Sequence, residues 1–182
     1  MNTFNEALHE YRIAGKIVPS VTQVCDSLNL VDKSWFTPAS REKGTFIHDM
    51  CAMYDRGELD EGSLDSQLLP YLDAWKAFRK QMPVTFAVIE QPFYSLEYGF
   101  AGTIDRAWFE VKKGVVGDIK SGVMPETIDL QLAGYSILFP SLTGMGIQLK
   151  DNGKFSLKPV GLLEMARARN RFMEALRKVQ AA

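Results

Sequence analysis

Two hydrophobic patterns alternate along this chain. Apolar residues recur every three or four positions in six segments, which is the spacing of a helix with one buried face. Ser20 is a favourable N-cap for the second of these helices, Gly57 ends the third, and Pro70 restarts the fourth. A loop is predicted over residues 29–37. The predicted helices cover 4–12, 20–28, 38–56, 64–81, 125–139 and 162–179.

Runs of aromatic and β-branched residues predict strands between the helices. These runs cover 84–96, 98–111, 115–120, 146–150 and 155–158. Asp151-Asn152-Gly153, between the last two runs, is a strong hairpin signal. The order of elements predicts a mixed sheet flanked by helices on both faces, and the pattern alone leaves α/β and α+β open.

The second and third strands form a predicted hairpin with an unusual set of polar residues. If Lys112-Lys113 is its two-residue loop, residues whose numbers sum to 225 face each other. Asp105 then lies opposite Lys120, and Asp118 lies diagonal to Asp105 on the same face. Two carboxylates and a lysine are therefore predicted to share one patch of sheet. A one-residue shift of the loop is expected to spoil this register.

These residues resemble the motif of the PD-(D/E)XK nucleases, in which an Asp is followed after a gap by Asp-x-Lys. The version here, Asp105 with Asp118-Ile119-Lys120, resembles the RecB-like branch, which includes phage recombination exonucleases. That branch also carries a Gly-x-x-x-His helix upstream and a Gln-x-x-x-Tyr helix downstream. This chain has Gly44-Thr-Phe-Ile-His48 and Gln131-Leu-Ala-Gly-Tyr135 in the same order.

The resemblance implies a restriction-endonuclease-like α/β fold in one domain, 1–182. Its motif-bearing core covers about 19–140, and a C-terminal hairpin and helix cover 141–182. The implied function is a metal-dependent DNA nuclease, namely an exonuclease of phage or prophage recombination or replication. An endonuclease of the same fold and a non-catalytic DNA-binding or assembly module are the alternatives. The resemblance also allows a homo-oligomeric ring around DNA, or a recombination or annealing partner protein.

Phosphodiester hydrolysis needs an activated water and neutralised phosphate oxygens, and one or two Mg²⁺ or Mn²⁺ ions provide both. Asp105, Asp118 and the backbone carbonyl of Ile119 offer the oxygen ligands that such ions prefer. Lys120 is expected to orient or deprotonate the water, or to steady the transition state. A cross-strand ion pair at the edge of a sheet is the structural alternative for the Asp-x-Lys pair.

His48 and Glu90 are two further candidate ligands of the predicted metal site. The resemblance makes His48 a metal ligand through its neutral imidazole; a histidine at the margin of a helix's apolar face is the alternative. Glu90 falls in an apolar strand next to the one that holds Asp105. It either binds a second metal ion or pairs with Arg106 or Lys120, and strand register decides between these.

The resemblance further implies contacts with DNA on either side of this site. Gln131 and Tyr135 lie four residues apart and so share one helix face, from which they would reach a phosphate or a base. A core tyrosine with a polar tip is the alternative for Tyr135. The backbone N–H of Ser121 is expected to face a phosphate at the end of the hairpin. Arg41 is a candidate for contact with the DNA backbone, and a solvated charged face is the alternative.

Net charge, cysteine content and the lack of long apolar runs narrow the classes of protein to which this chain could belong. The 182 residues carry a net charge of −1, which is unlike a protein that simply coats nucleic acid. Cys25 and Cys51 have no metal-ligand spacing, so no iron–sulfur cluster is expected. With no apolar run of membrane-spanning length and no signal-peptide layout, the sequence predicts a cytoplasmic protein. The resemblance implies that it is encoded by a bacterial host or a phage.

Overall fold

The computed structural model of this chain describes residues 1–6, 8–30 and 37–182. Five α-helices within this part of the chain are numbered α1 to α5: Val21–Asp26, Pro38–Arg56, Leu69–Gln81, Ile128–Leu138 and Leu162–Ala181. Eight strands, β1 to β8, are Thr3–Asn5, Glu10–Ile13, Lys16–Val18, Phe86–Ser95, Phe100–Glu110, Lys113–Lys120, Thr143–Leu149 and Phe155–Val160. Most of the predicted loop over 29–37 lies outside the described residues.

The central sheet has five strands in the order β4-β5-β6-β7-β8. All neighbours are antiparallel except β6 and β7, which run parallel because α4 crosses between them. Helices α1, α4 and α5 pack on one face, and α2 and α3 pack on the other. This confirms the predicted α/β class, a mixed sheet with helices on both faces, and the arrangement is consistent with a restriction-endonuclease-like fold.

Two hydrophobic cores lie on either side of this sheet. Phe172 of α5 and Leu132 of α4 belong to the first, where they pack against buried residues of β5 and β6. Trp75 and Phe78 of α3 anchor the second, against Ile119 and its neighbours in β7. Because both faces of the sheet are covered, the charged side chains of Asp105, Arg106 and Asp118 on the central strands are buried and need partners.

Local sequence signals determine where helix α1 begins and where helix α2 begins and ends. Ser20 caps the start of α1, as predicted, and it also forms a capping box with Gln23. The helix α2 begins after Thr37, whose hydroxyl accepts the N–H of Ser40. It ends at Gly57, which adopts the left-handed conformation with φ 73°. The predicted bounds of α2 are thus confirmed, and they fix the position of His48.

The predicted helix over 4–12 is wrong. The described residues there form strands β1 and β2, which continue into β3 as a small antiparallel sheet. Phe4 and Tyr11 stack across two strands with ring centroids 4.5 Å apart, a cross-strand pair that a helix cannot make. Tyr11 also donates to or accepts from Thr103 of β5 at 2.8 Å. Contact with the central sheet therefore overrides the local helical spacing.

Two helices begin later than predicted. The helix α3 starts at Leu69 rather than near residue 64, with Pro70 in its first turn, and α4 starts at Ile128 rather than at Pro125. Within the described part of the chain, no helix is long and apolar enough to cross a membrane.

Candidate active site

The turn of the β5–β6 hairpin differs from the prediction by one residue. Val111 and Lys112 form the loop with φ values of 45° and 68°, and Glu110 pairs with Lys113. Paired residue numbers therefore sum to 223, and the predicted register is wrong by two residues. Since side chains alternate with a period of two, a two-residue slip leaves every side chain on its predicted face. The slip places Asp105 level with Asp118 rather than with Lys120.

Asp105 lies where the two strands of this hairpin separate. Backbone pairing ends at Arg106 and Gly117, and Asp105 Oδ2 then accepts the N–H of Ile119 at 2.7 Å. The carboxylate thus replaces a ladder hydrogen bond, and its side chain is almost fully buried. Burial raises the pKa of Asp105, an effect that the nearby His48 imidazole opposes and Glu90 reinforces.

Asp118 is the most deeply buried acid of the site, with no exposed surface. Lys120 Nζ lies 2.7 Å from Asp118 Oδ2, although the approach does not meet hydrogen-bond geometry. Neither Asp118 oxygen accepts a hydrogen bond from the described residues. Burial raises the pKa of Asp118 to about 6, with Lys120 opposing the rise and the Asp105 carboxylate adding to it. Lys120 therefore compensates the charge at Oδ2 as an ion pair, whereas the buried Oδ1 lacks a partner among the described residues.

Lys120 is held by a chain of side chains from α4. Its Nζ donates to Gln131 Oε1 at 3.0 Å, and Gln131 Nε2 donates to Tyr135 Oη at 2.9 Å. Burial lowers the pKa of Lys120, but the carboxylates of Asp118 and Asp105 outweigh burial and raise it. Both the oxygen and the nitrogen of the Gln131 amide are thus hydrogen-bonded within the protein, and the amide orients Lys120. The predicted contacts of Gln131 and Tyr135 with DNA stay predictions.

His48 reaches the same place from α2, on the opposite side of the sheet. Its Nδ1 lies 3.2 Å from Glu90 Oε1 and 3.6 Å from Asp105 Oδ2, and its Nε2 lies 3.1 Å from the carbonyl oxygen of Ile119. Both partners are acceptors, so this arrangement suits the imidazolium, in which both ring nitrogens carry a proton. Burial lowers the pKa of His48, but Asp105 and Glu90 outweigh it and raise the pKa to about 9.

Glu90 joins this group from β4, at a point where the strand is irregular. Its φ of 44° is unusual for a non-glycine residue inside a strand. Glu90 Oε1 accepts from Arg106 Nη1 at 2.9 Å, so of the two ion pairs considered, the structure shows the one with Arg106. The ligand atoms of His48, Glu90 and Asp105 all lie within 4.8 Å of one another. Pairing with Arg106 and membership of a metal-sized cluster are thus compatible.

The predicted set of metal ligands is brought together in part. Three of its members form the cluster just described, and the carbonyl of Ile119 accepts from His48 at its margin. Asp118 lies outside that three-residue group and contacts Lys120 instead. Carboxylates, an imidazole and the buried Asp118 Oδ1, which has no partner among the described residues, match the donors that a divalent cation prefers, so these residues fit such an ion.

Ser121 and Arg41 lie nearer the surface. A Cβ added at Gly44 would meet Ser121 Oγ at 3.8 Å, which places the end of β6 directly against α2, one turn before His48. Ser121 is half-buried, and Arg41 is exposed two turns before His48 on the same helix. Their predicted contacts with DNA also stay predictions.

Sequence reasoning missed Asp55, which lies behind this cluster. Asp55 Oδ2 accepts from Arg106 Nε at 2.8 Å, and the Asp55 side chain is 1% exposed. One signal was present, because Asp55 follows His48 by seven residues and so shares its face of α2. Nothing local showed that this face would meet a buried arginine.

Comparison with known proteins adds little to this picture. No protein-family model and no curated protein matches the chain. Among solved structures, SSO0001 covers 94% of this chain and 80% of its own length, with 13% identity and a TM-score of 0.45. The match to LHK-Exo in complex with dAMP covers 90% of this chain and 88% of LHK-Exo, with 10% identity and a TM-score of 0.47. An alkaline exonuclease (LHK-Exo) from Laribacter hongkongensis covers 87% of each chain, with 9% identity and a TM-score of 0.42. These likenesses are too distant to assign a function.

Proposed function

We propose that this chain is a metal-dependent deoxyribonuclease that hydrolyses phosphodiester bonds, and that it acts as an exonuclease of phage or prophage recombination or replication. One observation carries the nuclease proposal. Asp105 meets His48 and Glu90 in one metal-sized cluster. The buried Asp118, which is paired with Lys120, lies level with Asp105 on the neighbouring strand. The ordered motifs shared with RecB-like enzymes support the choice of an exonuclease.

Buried acids of this kind are costly unless a cation or a proton compensates them. Asp105, Glu90 and His48 would hold a Mg²⁺ or Mn²⁺ ion, and Asp118 would supply further oxygens. When bound, the ion supplies charge neutralisation and water activation for phosphodiester hydrolysis. The imidazole ligand favours Mn²⁺ as an alternative to Mg²⁺.

The protein's own groups would then perform the remaining tasks. Lys120, fixed by Gln131, is positioned to donate to a phosphate oxygen and to orient the attacking water. His48 must lose a proton before it can act as a ligand, so metal binding would release a proton near neutral pH. Tyr135 would hold the Gln131 amide and thereby the direction of the lysine.

The test is degradation of linear and covalently closed circular DNA, double- and single-stranded, with Mg²⁺, Mn²⁺ or EDTA. The purified chain should degrade linear DNA only, and only with metal. Asp118→Ala should be inactive, and Asp73→Ala, which changes an exposed acid of α3, should keep full activity.

Each other result has a definite meaning. Cleavage of closed circles would replace the exonuclease with an endonuclease, because an exonuclease needs an end. Thermal stabilisation by Mn²⁺ without cleavage of any substrate would favour the non-catalytic DNA-binding module. If the chain cleaves no DNA and Mn²⁺ does not stabilise it, the proposal is refuted.

A further inference from the structure

A fully buried arginine lies directly behind the candidate metal cluster. Arg106 has no exposed surface. Its Nε donates to Asp55 Oδ2 at 2.8 Å, and its Nη1 donates to Glu90 Oε1 at 2.9 Å and to the carbonyl of Asp105 at 2.6 Å. The guanidinium lies 5.0 Å from the ring centre of Trp75. One side chain thus connects the acid of helix α2 with the acid of strand β4.

Asp55 is itself held in place by two other groups. Its Oδ1 accepts from Trp75 Nε1 at 3.2 Å, and Arg79 Nε lies 3.2 Å from the same oxygen. Glu90 and Arg106 form an ion pair, and helix α2 contacts both members of it, because Asp55 and His48 share one face of that helix. His48 contacts Glu90 directly, and Asp55 contacts Glu90 through Arg106.

Glu90 needs this support, because its backbone is not relaxed. A left-handed φ of 44° at a non-glycine residue inside a strand persists only where the surroundings enforce it. The Glu90 carboxylate is fixed by Arg106 on one side and by His48 on the other. The planar fork of an arginine binds two carboxylates at once in fixed directions, which a lysine cannot do.

We propose that Arg106 is a positioning residue of the candidate metal site. It holds the Glu90 carboxylate beside His48 and Asp105, and Asp55 in turn holds Arg106. The inference rests on the proposed function, since it concerns the affinity of the same site for a divalent cation. Groups that orient metal ligands typically change metal affinity by roughly 10- to 100-fold when they are replaced.

The test is a double-mutant cycle on Mn²⁺ affinity, measured by isothermal titration calorimetry at one pH. Arg106→Lys keeps the charge and loses the fork, so it isolates geometry from electrostatics. Both Arg106→Lys and Glu90→Gln should weaken Mn²⁺ binding by roughly 10- to 100-fold. The double variant should bind no more weakly than Glu90→Gln alone, because Arg106 acts through Glu90. Arg169→Lys, in a half-buried arginine that donates to Ser136, is the matched control and should leave the Kd unchanged.

Three results would overturn the inference. These are an unchanged Mn²⁺ Kd in Arg106→Lys, additive losses in the double variant, and an equal loss in the Arg169→Lys control. If Arg106→Lys does not fold, Asp55→Asn loosens the same arginine from the other end and should also weaken Mn²⁺ binding. An unchanged Kd in a folded Asp55→Asn would count equally against the inference.

Failure of the proposed function gives a different result. A wild-type protein that binds no Mn²⁺ and cleaves no DNA would refute the nuclease and, with it, the effect of Arg106 on metal affinity. The same double-mutant cycle on urea unfolding in EDTA then tests the contact itself. If the losses in unfolding free energy of Arg106→Lys and Glu90→Gln are coupled, Arg106 positions Glu90 even without a metal site. If the losses are additive, this positioning role is refuted as well.

Discussion

Asp118 gives a prediction that runs against the usual effect of changing a buried residue. Burial raises its pKa from 3.8 to about 6, so the native protein binds this proton more tightly than the unfolded chain does. The free energy of unfolding of the metal-free protein therefore falls as the pH rises from about 4 to 6, and it stays reduced at higher pH. The difference between 6 and 3.8 corresponds to roughly 3 kcal/mol at about 1.4 kcal/mol per pH unit.

Asp118→Asn removes this charge and keeps the shape of the side chain. The buried amide that it introduces has a donor with no evident acceptor, which costs about 1–2 kcal/mol. In EDTA at pH 8, we therefore expect the variant to be more stable than the wild type by roughly 1–2 kcal/mol. Near pH 4 the gain should vanish or reverse, because the wild-type carboxyl is then protonated in the folded protein.

Urea unfolding in EDTA at pH 4 and pH 8 measures both quantities. Asp73→Asn, in an exposed acid of α3, should change stability by less than about 0.5 kcal/mol at either pH. Mn²⁺ should raise the stability of the wild type more than that of Asp118→Asn. A variant less stable than the wild type at pH 8, or a difference that does not change with pH, would refute this account of Asp118.

Three further predictions test the site and the fold. Lys120→Ala should abolish DNA cleavage but leave Mn²⁺ affinity, measured by calorimetry, largely intact; retained cleavage would remove Lys120 from the mechanism. Gly114→Ala should destabilise the protein by roughly 3 kcal/mol in urea, because its Cβ would lie 2.1 Å from the carbonyl oxygen of Pro140, whereas Gly122→Ala, with open space around it, should change little. Ser20→Ala should cost about 1 kcal/mol of unfolding free energy through loss of the α1 capping box, and an unchanged urea midpoint would contradict this.

The β5–β6 hairpin shows how far local reasoning reaches. The strands, their alternation and the shared face of Asp118 and Lys120 follow from the sequence, because a strand has a period of two. The turn position does not follow, since Val111 and Lys112 both adopt left-handed conformations that their residue types do not favour. The two-residue difference in register left each side chain on its predicted face of the sheet. It placed Asp105 level with Asp118 instead of Lys120.

The N-terminal segment shows the opposite case. The spacing of apolar residues over 4–12 predicts a helix, yet the segment pairs as strands with its aromatic rings stacked across them. The contact between Tyr11 and Thr103 joins residues 92 positions apart, which no local pattern encodes. Short segments take their conformation from the surface that they cover.

The sequence by itself determined the order of elements from α1 onwards, the N-cap of α1, the bounds of α2, and the residue types on the face of the hairpin that carries Asp118 and Lys120. These depend on periodicity and on capping, which act over a few residues. The tertiary structure alone decided that Glu90 meets His48, that Arg106 pairs with Glu90, and that Asp55 holds Arg106. These contacts join β4, β5 and α2, whose relative positions are set by strand register and by packing of the two cores. Burial then fixes the charge balance of the site, because the same acids would be ordinary in water.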